Sequence, residues 1–240
     1  QIRVWKCKWR GGKAEELIWD SGKVESCKTY GIRYAGDVLK SRFSYCYQVT
    51  AWDNQGECAQ SAMQSFSTVI FDTDEWQAKF VEPEQLPLEL SENPLDIAKQ
   101  KWQEFVFHMM RGEEADFINV DGYLQSAPKY PYFPAVMMFR RFQAKAKVAQ
   151  ATLYMTAHGV YEYYINGEKG ADVCLAPEFT TYDKLLKYQV YDVTQNVNEG
   201  ENAIGVVIAD GWFKGKIANG VGCEYGTNPA LLMELELIYE

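Results

Sequence analysis

The 240-residue chain has room for one or two domains, each able to bury a core without staples. With 47% apolar and 15% aromatic residues it reads as a folded protein, and its net charge of −9 removes the electrostatic basis for holding nucleic acid or an anionic membrane. No run reaches the roughly 18 apolar residues of a spanning helix, and the opening QIRVWKCKW lacks the regions of a signal peptide. That opening resembles the interior of a strand, so the true amino terminus is expected upstream. Cys7, Cys27, Cys46, Cys58, Cys174 and Cys223 show no C-x-x-C spacing, and His108 and His158 lie far apart, so no zinc site is expected. Reduced thiols, and with them a cytoplasmic location, are the expectation.

In chain order, Trp5, Cys7 and Trp9 alternate in a first strand, with Cys7 as a small buried apolar group, and Gly11-Gly12 turns the chain. Leu17-Ile18-Trp19 leads into Asp20-Ser21-Gly22. The clearest alternation of this half puts Phe43, Tyr45, Tyr47, Val49 and Ala51 on one face and Arg42, Ser44, Gln48 and Thr50 on the other, ending at Asp53-Asn54-Gln55-Gly56. These runs predict a small sandwich over residues 1–72, with fewer strands than the about seven of a complete one; its first strand is expected to be missing. A polar linker follows at 71–76, and residues 76–81 are expected to open a second domain over 75–240.

Asn93 can cap a helix, Pro94 fits its first position, and Ala98, Trp102, Phe105, Val106 and Met109 fall at helical spacing before Gly112. An inserted helix over about 94–111 follows. Pro128, Pro131 and Pro134 make a surface loop. The strand at 136–142 contains Arg140-Arg141, of which one is expected to face solvent and the other to pair with a carboxylate. Runs at 153–157, 160–165 and 203–209 read as strands, separated by Asn166-Gly167, which supplies the positive φ angles of a two-residue hairpin turn, and by Glu199-Gly200-Glu201-Asn202. Between them Tyr191-Asp192-Val193-Thr194 closes a short strand. The last strand, 230–239, alternates Leu231, Met233, Leu235, Leu237 and Tyr239 against Glu234 and Glu236. The fold class is all-β, a sandwich followed by a jelly-roll sandwich with a helical insertion.

The order and wording of these pieces carry a resemblance. Leu153-Tyr154, Gly159-Val160-Tyr161-Glu162, Asn166-Gly167, Tyr188-Gln189, Asp192-Val193-Thr194, Gly200-Glu201-Asn202 and the string Asp210-Gly211-Trp212-Phe213-Lys214-Gly215 resemble the jelly-roll N-terminal domain of bacterial α-L-rhamnosidases. WDSGKVES followed by LKSRFSYCYQVTAWDNQGE resembles the fibronectin type III-like domain that precedes it. The resemblance implies a non-catalytic region of a glycoside hydrolase acting on terminal α-L-rhamnose with inversion. In that family both carboxylates reside in a C-terminal (α/α)6 barrel, which would be the partner of this chain. No catalytic residue is carried over, and no cofactor is implied.

The residues themselves leave several uses open. Asp210, Trp212, Phe213, Lys214 and Tyr225 are the candidates for sugar binding or domain docking, because two glycines bend the backbone around large rings that a loop would otherwise not expose. The glycine-rich stretch 219–226 is a candidate flap over the same edge. Glu162 is either a half-buried carboxylate with a raised pKa or, more commonly for such a residue, one paired with Arg or hydrogen-bonded to a neighbouring strand. The acidic stretch 178–183 is too sparse for a calcium site. A support for a catalytic barrel, an independent carbohydrate-binding module and a spacer that meets only protein are the three functional readings. They are separated by whether Trp212, Phe213 and Tyr225 lie exposed around a concave surface. The first of them also expects self-association through Trp212 and Phe213 when the barrel is absent.

Overall fold

A computed structural model describes residues 1–28, 30–83, 135–215, 217 and 223–240. The helix expected over about 94–111 and the proline loop before residue 135 lie outside the described residues. The chain forms two compact units, Gln1–Gln77 with Val148–Ala151 and Leu237–Glu240, and Ala78–Lys147 with Thr152–Glu236. Both are built from antiparallel strands, which makes the chain all-β.

The first unit is a five-stranded sheet in the order β2-β1-β3-β4, with β5 also on β3; the strands are β1 (Ile2–Cys7), β2 (Ala14–Asp20), β3 (Ser44–Trp52), β4 (Cys58–Gln60) and β5 (Gln64–Ser67). The expected alternation along β3 is not what is found: Ser44, Tyr45 and Cys46 are all buried, whereas Val49 and Ala51 are exposed. Tyr45 stacks on Phe66 with ring centroids 5.4 Å apart, and its hydroxyl accepts the Lys40 N–H at 2.8 Å. On the other face Cys7 and Cys46 form a disulfide. Register explains the pairing: Cys7 lies opposite Ser44 and Cys46 opposite Trp5, so the two cysteines are diagonal neighbours on one face. The expectation of reduced thiols fails for this pair. Asp72 and Glu75 form a capping box around the 3-10 turn Thr73–Glu75 within the expected linker.

The second unit has a three-stranded sheet β10-β7-β12 and a four-stranded sheet β6-β11-β8-β9. The strands are β6 (Val136–Ala144), β7 (Val148–His158), β8 (Val160–Ile165), β9 (Glu168–Lys169), β10 (Gln189–Asp192), β11 (Gly200–Ala209) and β12 (Ala230–Tyr239). Leu153, Met155, Tyr161, Ile165, Val206 and Ile208 supply the core. In β7 burial runs unbroken from residue 151 to 157, so Thr152, Tyr154 and Thr156 are covered as well as Leu153 and Met155. Asn166 and Gly167 take φ of +52° and +86° between β8 and β9, the tight hairpin their dipeptide encodes. The strand expected at 76–81 is absent. Only Val81 bridges to Leu231, while the Ala78 N–H is taken by the Glu234 carboxylate at 2.7 Å. Arg140 and Arg141 are both exposed.

Candidate functional site

The sequence signals in the second unit resolve into two groups, those that lock turns and those that gather rings. Asn202 belongs to the first. Its side chain is 4% exposed and makes four hydrogen bonds. The Oδ1 accepts from the Asn198 N–H and the Asn166 Nδ2, both at 2.8 Å, while Nδ2 donates to the carbonyls of Asn198 at 2.7 Å and Gly200 at 3.0 Å. Asn166 in turn accepts the Ala203 N–H at 2.9 Å and donates to the Asn196 carbonyl at 2.9 Å. Two turns far apart in sequence are thus joined in one polar network anchored on buried Asn202, whose bonds are satisfied. Asp192 accepts from both the N–H (3.1 Å) and the hydroxyl (2.6 Å) of Thr194, an Asx turn that drives Val193 into the core. These motifs are architecture, not chemistry.

The second group is built on the string that follows β11. Residues Gly211–Lys214 form a single helical turn, α1, that starts with Gly211 at φ +52°. A Cβ at Gly211 would lie 2.8 Å from Val160 Cγ1 and 2.9 Å from the Gly159 carbonyl carbon, so glycine is required for the turn to sit against the start of β8. The turn points Phe213 inward, at 8% exposure. Phe213 stacks on His158 with centroids 4.4 Å apart, and His158 stacks on Phe80 at 4.4 Å, giving a three-ring pile. Tyr182 meets the edge of Phe213 at 5.5 Å, and Gly226 lies against the same ring, where a Cβ would come within 2.4 Å. Lys214, 6% exposed, pairs with Asp210 at 3.5 Å.

Trp212 and Tyr225 stay half-buried, and half-exposed Phe179 joins them: its ring lies 5.9 Å from Trp212, while Tyr225 lies 5.1 Å from Tyr182. The five sequence candidates therefore divide. Trp212 and Tyr225 form a rim with Phe179, whereas Phe213, Lys214 and Asp210 support it from below. Phe80, His158, Phe179 and Tyr182 were not singled out in the sequence; their one signal is the Phe179/Tyr182 spacing within a loop read only for its acids. Burial pushes the His158 imidazole down, opposed by Glu82, and pushes the Tyr182 hydroxyl and the Cys223 thiol up. Of the candidate flap, residues 219–222 lie outside the described residues. Beyond them the Cys223 N–H donates to the Lys214 carbonyl at 2.7 Å, tying the chain to α1.

Glu162 takes the paired alternative, with different partners. Lys169 Nζ lies 2.9 Å from Oε1, and the Tyr164 hydroxyl donates to Oε2 at 3.0 Å. Those hydrogen bonds hold the carboxyl below its ordinary range, so it is no proton donor near neutrality. Among the described residues no group of three or more His, Cys, Asp or Glu is placed to hold a metal ion.

Residues 1–72 match the model of the Rha78A-like N-terminal immunoglobulin domain, a sandwich architecture that fibronectin type III domains share, and residues 146–240 match the α-L-rhamnosidase N-terminal domain. An α-L-rhamnosidase of Formosa agariphila is 30% identical over 198 residues, which covers 82% of this chain and 18% of that protein. The native α-L-rhamnosidase of Aspergillus terreus superposes with a TM-score of 0.70 at 21% identity over 100% of this chain and 23% of its own. That of Streptomyces avermitilis, solved with L-rhamnose, does so with a TM-score of 0.69 at 20% identity over 99% of this chain and 36% of its own. At these identities the two structures speak for the fold. The chain spans about a fifth of the length of the curated relatives it matches.

Proposed function

We propose that this chain, whose residues 1–72 and 146–240 belong to the immunoglobulin-like and N-terminal domain families of α-L-rhamnosidases, is the non-catalytic part of such an enzyme. It supports a catalytic barrel that supplies both carboxylates, and the rim of Phe179, Trp212 and Tyr225 meets that barrel or edges its pocket. The observation that carries this reading is how the acids beside the rings are used. Inversion needs two carboxyl groups about 6.5–9.5 Å apart, one of them kept protonated. Glu162 is held ionised by Lys169 and Tyr164, and Asp210 is committed to buried Lys214. A carboxyl held ionised, as Glu162 is, is not prepared to give a proton to a leaving group. Incubated with an aryl α-L-rhamnoside, the 240-residue chain should show turnover no higher than a mock-purified blank. Turnover abolished by a single Asp or Glu substitution within it would overturn the reading.

The exposure of Phe179 beside Trp212 favours a second reading, an independent carbohydrate-binding module. A rhamnose titration beside sedimentation of wild type and Trp212→Ala separates the two. Docking predicts self-association that Trp212→Ala relieves. A module predicts saturable binding by a monomer, lost in Trp212→Ala.

A further inference from the structure

The outer face of the four-stranded sheet carries a groove with a composition of its own. Residues directly opposite one another in an antiparallel sheet share a face. Phe139, Gly205 and Tyr164 therefore form one row across β6, β11 and β8, and Met137, Val207 and Glu162 form the next. Arg141 and Ala203 begin the row on the other side. The alternate positions Ile204, Val206 and Tyr163 are buried, which fixes this row set as the outward one. Its centre strand offers small side chains, Ala203, Gly205 and Val207, while Phe139 at 76% exposure and Met137 at 69% rise along one side and Tyr164 along the other. Among the described residues, a Cβ built on Gly205 meets nothing closer than the Met138 carbonyl oxygen at 3.9 Å, so the half-buried floor has room above it.

The dimensions and the charges narrow what fits. Strands lie about 4.8 Å apart, so the two walls are separated by about 10 Å between Cα atoms, less once side chains stand on both. A helix of about 10–12 Å does not enter; a single six-membered ring does. The Glu162 carboxylate is already neutralised by Lys169 and accepts from Tyr164, so it offers hydrogen bonding without a free charge. Arg141, exposed at one end, brings donors only. Aromatic faces beside a neutralised carboxylate and a guanidinium that donates hydrogen bonds match a polyol with one apolar C–H face.

We propose that this groove over Gly205 binds a pyranose unit of a neutral carbohydrate, a second contact with the sugar distinct from the Trp212 rim, and this rests on reading the chain as part of a glycoside hydrolase. Phe139 and Tyr164 hold the ring between them, and Arg141 and Glu162 bond its hydroxyls.

The test is amide-resolved NMR of the whole 240-residue chain titrated with methyl α-L-rhamnoside and, separately, with methyl β-D-glucoside. Saturable shifts over residues 137–141, 162–164 and 203–207 are expected, with affinity reduced at least tenfold in Phe139→Ala and in Gly205→Val and unchanged in Trp212→Ala. Phe139 is so exposed that its variant keeps the test intact should Gly205→Val fail to fold. Absence of shifts with both sugars, or binding retained in both groove variants, overturns the proposal. Shifts confined to Phe179 and Trp212 overturn it while leaving the rhamnosidase reading in place. Preference for the glucoside within the groove upholds the site and counts against the rhamnosidase reading. Sedimentation that slows in Phe139→Ala with no sugar bound would assign the face to a protein partner instead.

Discussion

Replacing Asn202 by alanine tests whether the paired turns are one structural unit. The substitution removes four hydrogen bonds of 2.7 to 3.0 Å from a side chain 4% exposed. A neutral hydrogen bond contributes about 0.5–1.5 kcal/mol net, and a buried group left without a partner costs about 1–3 kcal/mol. Two of the stranded partners, the N–H and carbonyl of Asn198, belong to an exposed residue and recover water; the Gly200 carbonyl is only partly accessible. About 3 kcal/mol is therefore expected for Asn202→Ala, not the sum of four full penalties. Asn166→Ala, which loses the Ala203 contact and must hold φ +52° without a side chain suited to it, should cost about 1.5–2 kcal/mol. Because the two amides bond each other directly, the double variant should fall short of additivity by about 1 kcal/mol. Urea unfolding followed by circular dichroism measures all three, with exposed Glu201→Ala as a control inside about 0.5 kcal/mol. An Asn202→Ala chain as stable as that control, or strict additivity with Asn166→Ala, would refute the idea that the turns are fastened together.

Further outcomes follow from the same geometry. Gly226→Ala places a Cβ about 2.4 Å from the Phe213 ring and should destabilise by about 1–3 kcal/mol, visible as a lower thermal midpoint; an unchanged midpoint would mean the ring is free to move. Serine at both Cys7 and Cys46 opens a link spanning 39 residues and should lower stability by about 2–4 kcal/mol, with reducing agent mimicking the change in the wild type and doing nothing to the variant. Asp20 is held at a pKa of about 2 by hydrogen bonds from Arg3 and Gln1, against an ordinary 3.8. Its folded pKa is the lower one, so its stabilising effect is complete above about pH 4 and fades as pH falls toward 2; thermal midpoints of Asp20→Asn should be flatter over that window. His158, pushed below 6.5 by burial, acts in the opposite part of the scale: stability is full above 6.5 and falls below it, and His158→Phe should flatten the wild-type loss between pH 7 and 5.

How far the sequence could be read depended on whether a signal was local. Asn166-Gly167 sets its own φ angles, and β8 and β11 bury alternate residues, so both strands and the turn between β8 and β9 were legible. The Asx turn at Asp192 was legible as an interruption of a strand, since its bonds reach only two residues ahead. Burial of Phe213 was not, because its cover comes from Phe80, His158, Tyr182 and Gly226, brought together by the fold. The disulfide was hidden for a related reason. Cys7 looked like an ordinary inward side chain and Cys46 fell on the polar face of its own strand beside Ser44 and Gln48, and only the register of β1 against β3 makes them neighbours. The strand expected at 76–81 failed because its backbone found a side chain, Glu234, where a ladder was anticipated.

The unbroken burial of β7 has a consequence for how this domain can change over time. A strand covered on one face has every second position free to drift, whereas from Ala151 to Ala157 no side chain has solvent to expand into. Inventive variation is therefore confined to strands such as β6, whose outward residues answer to nothing inside, and to the loops at the strand ends. A library randomised across both strands and sorted for folded protein should keep near-wild-type residues through β7 while admitting a broad alphabet at Met137, Phe139 and Arg141. The same asymmetry makes β7 the natural reporter of global opening: its amides should exchange with deuterium last, after every edge of the sandwich has already done so.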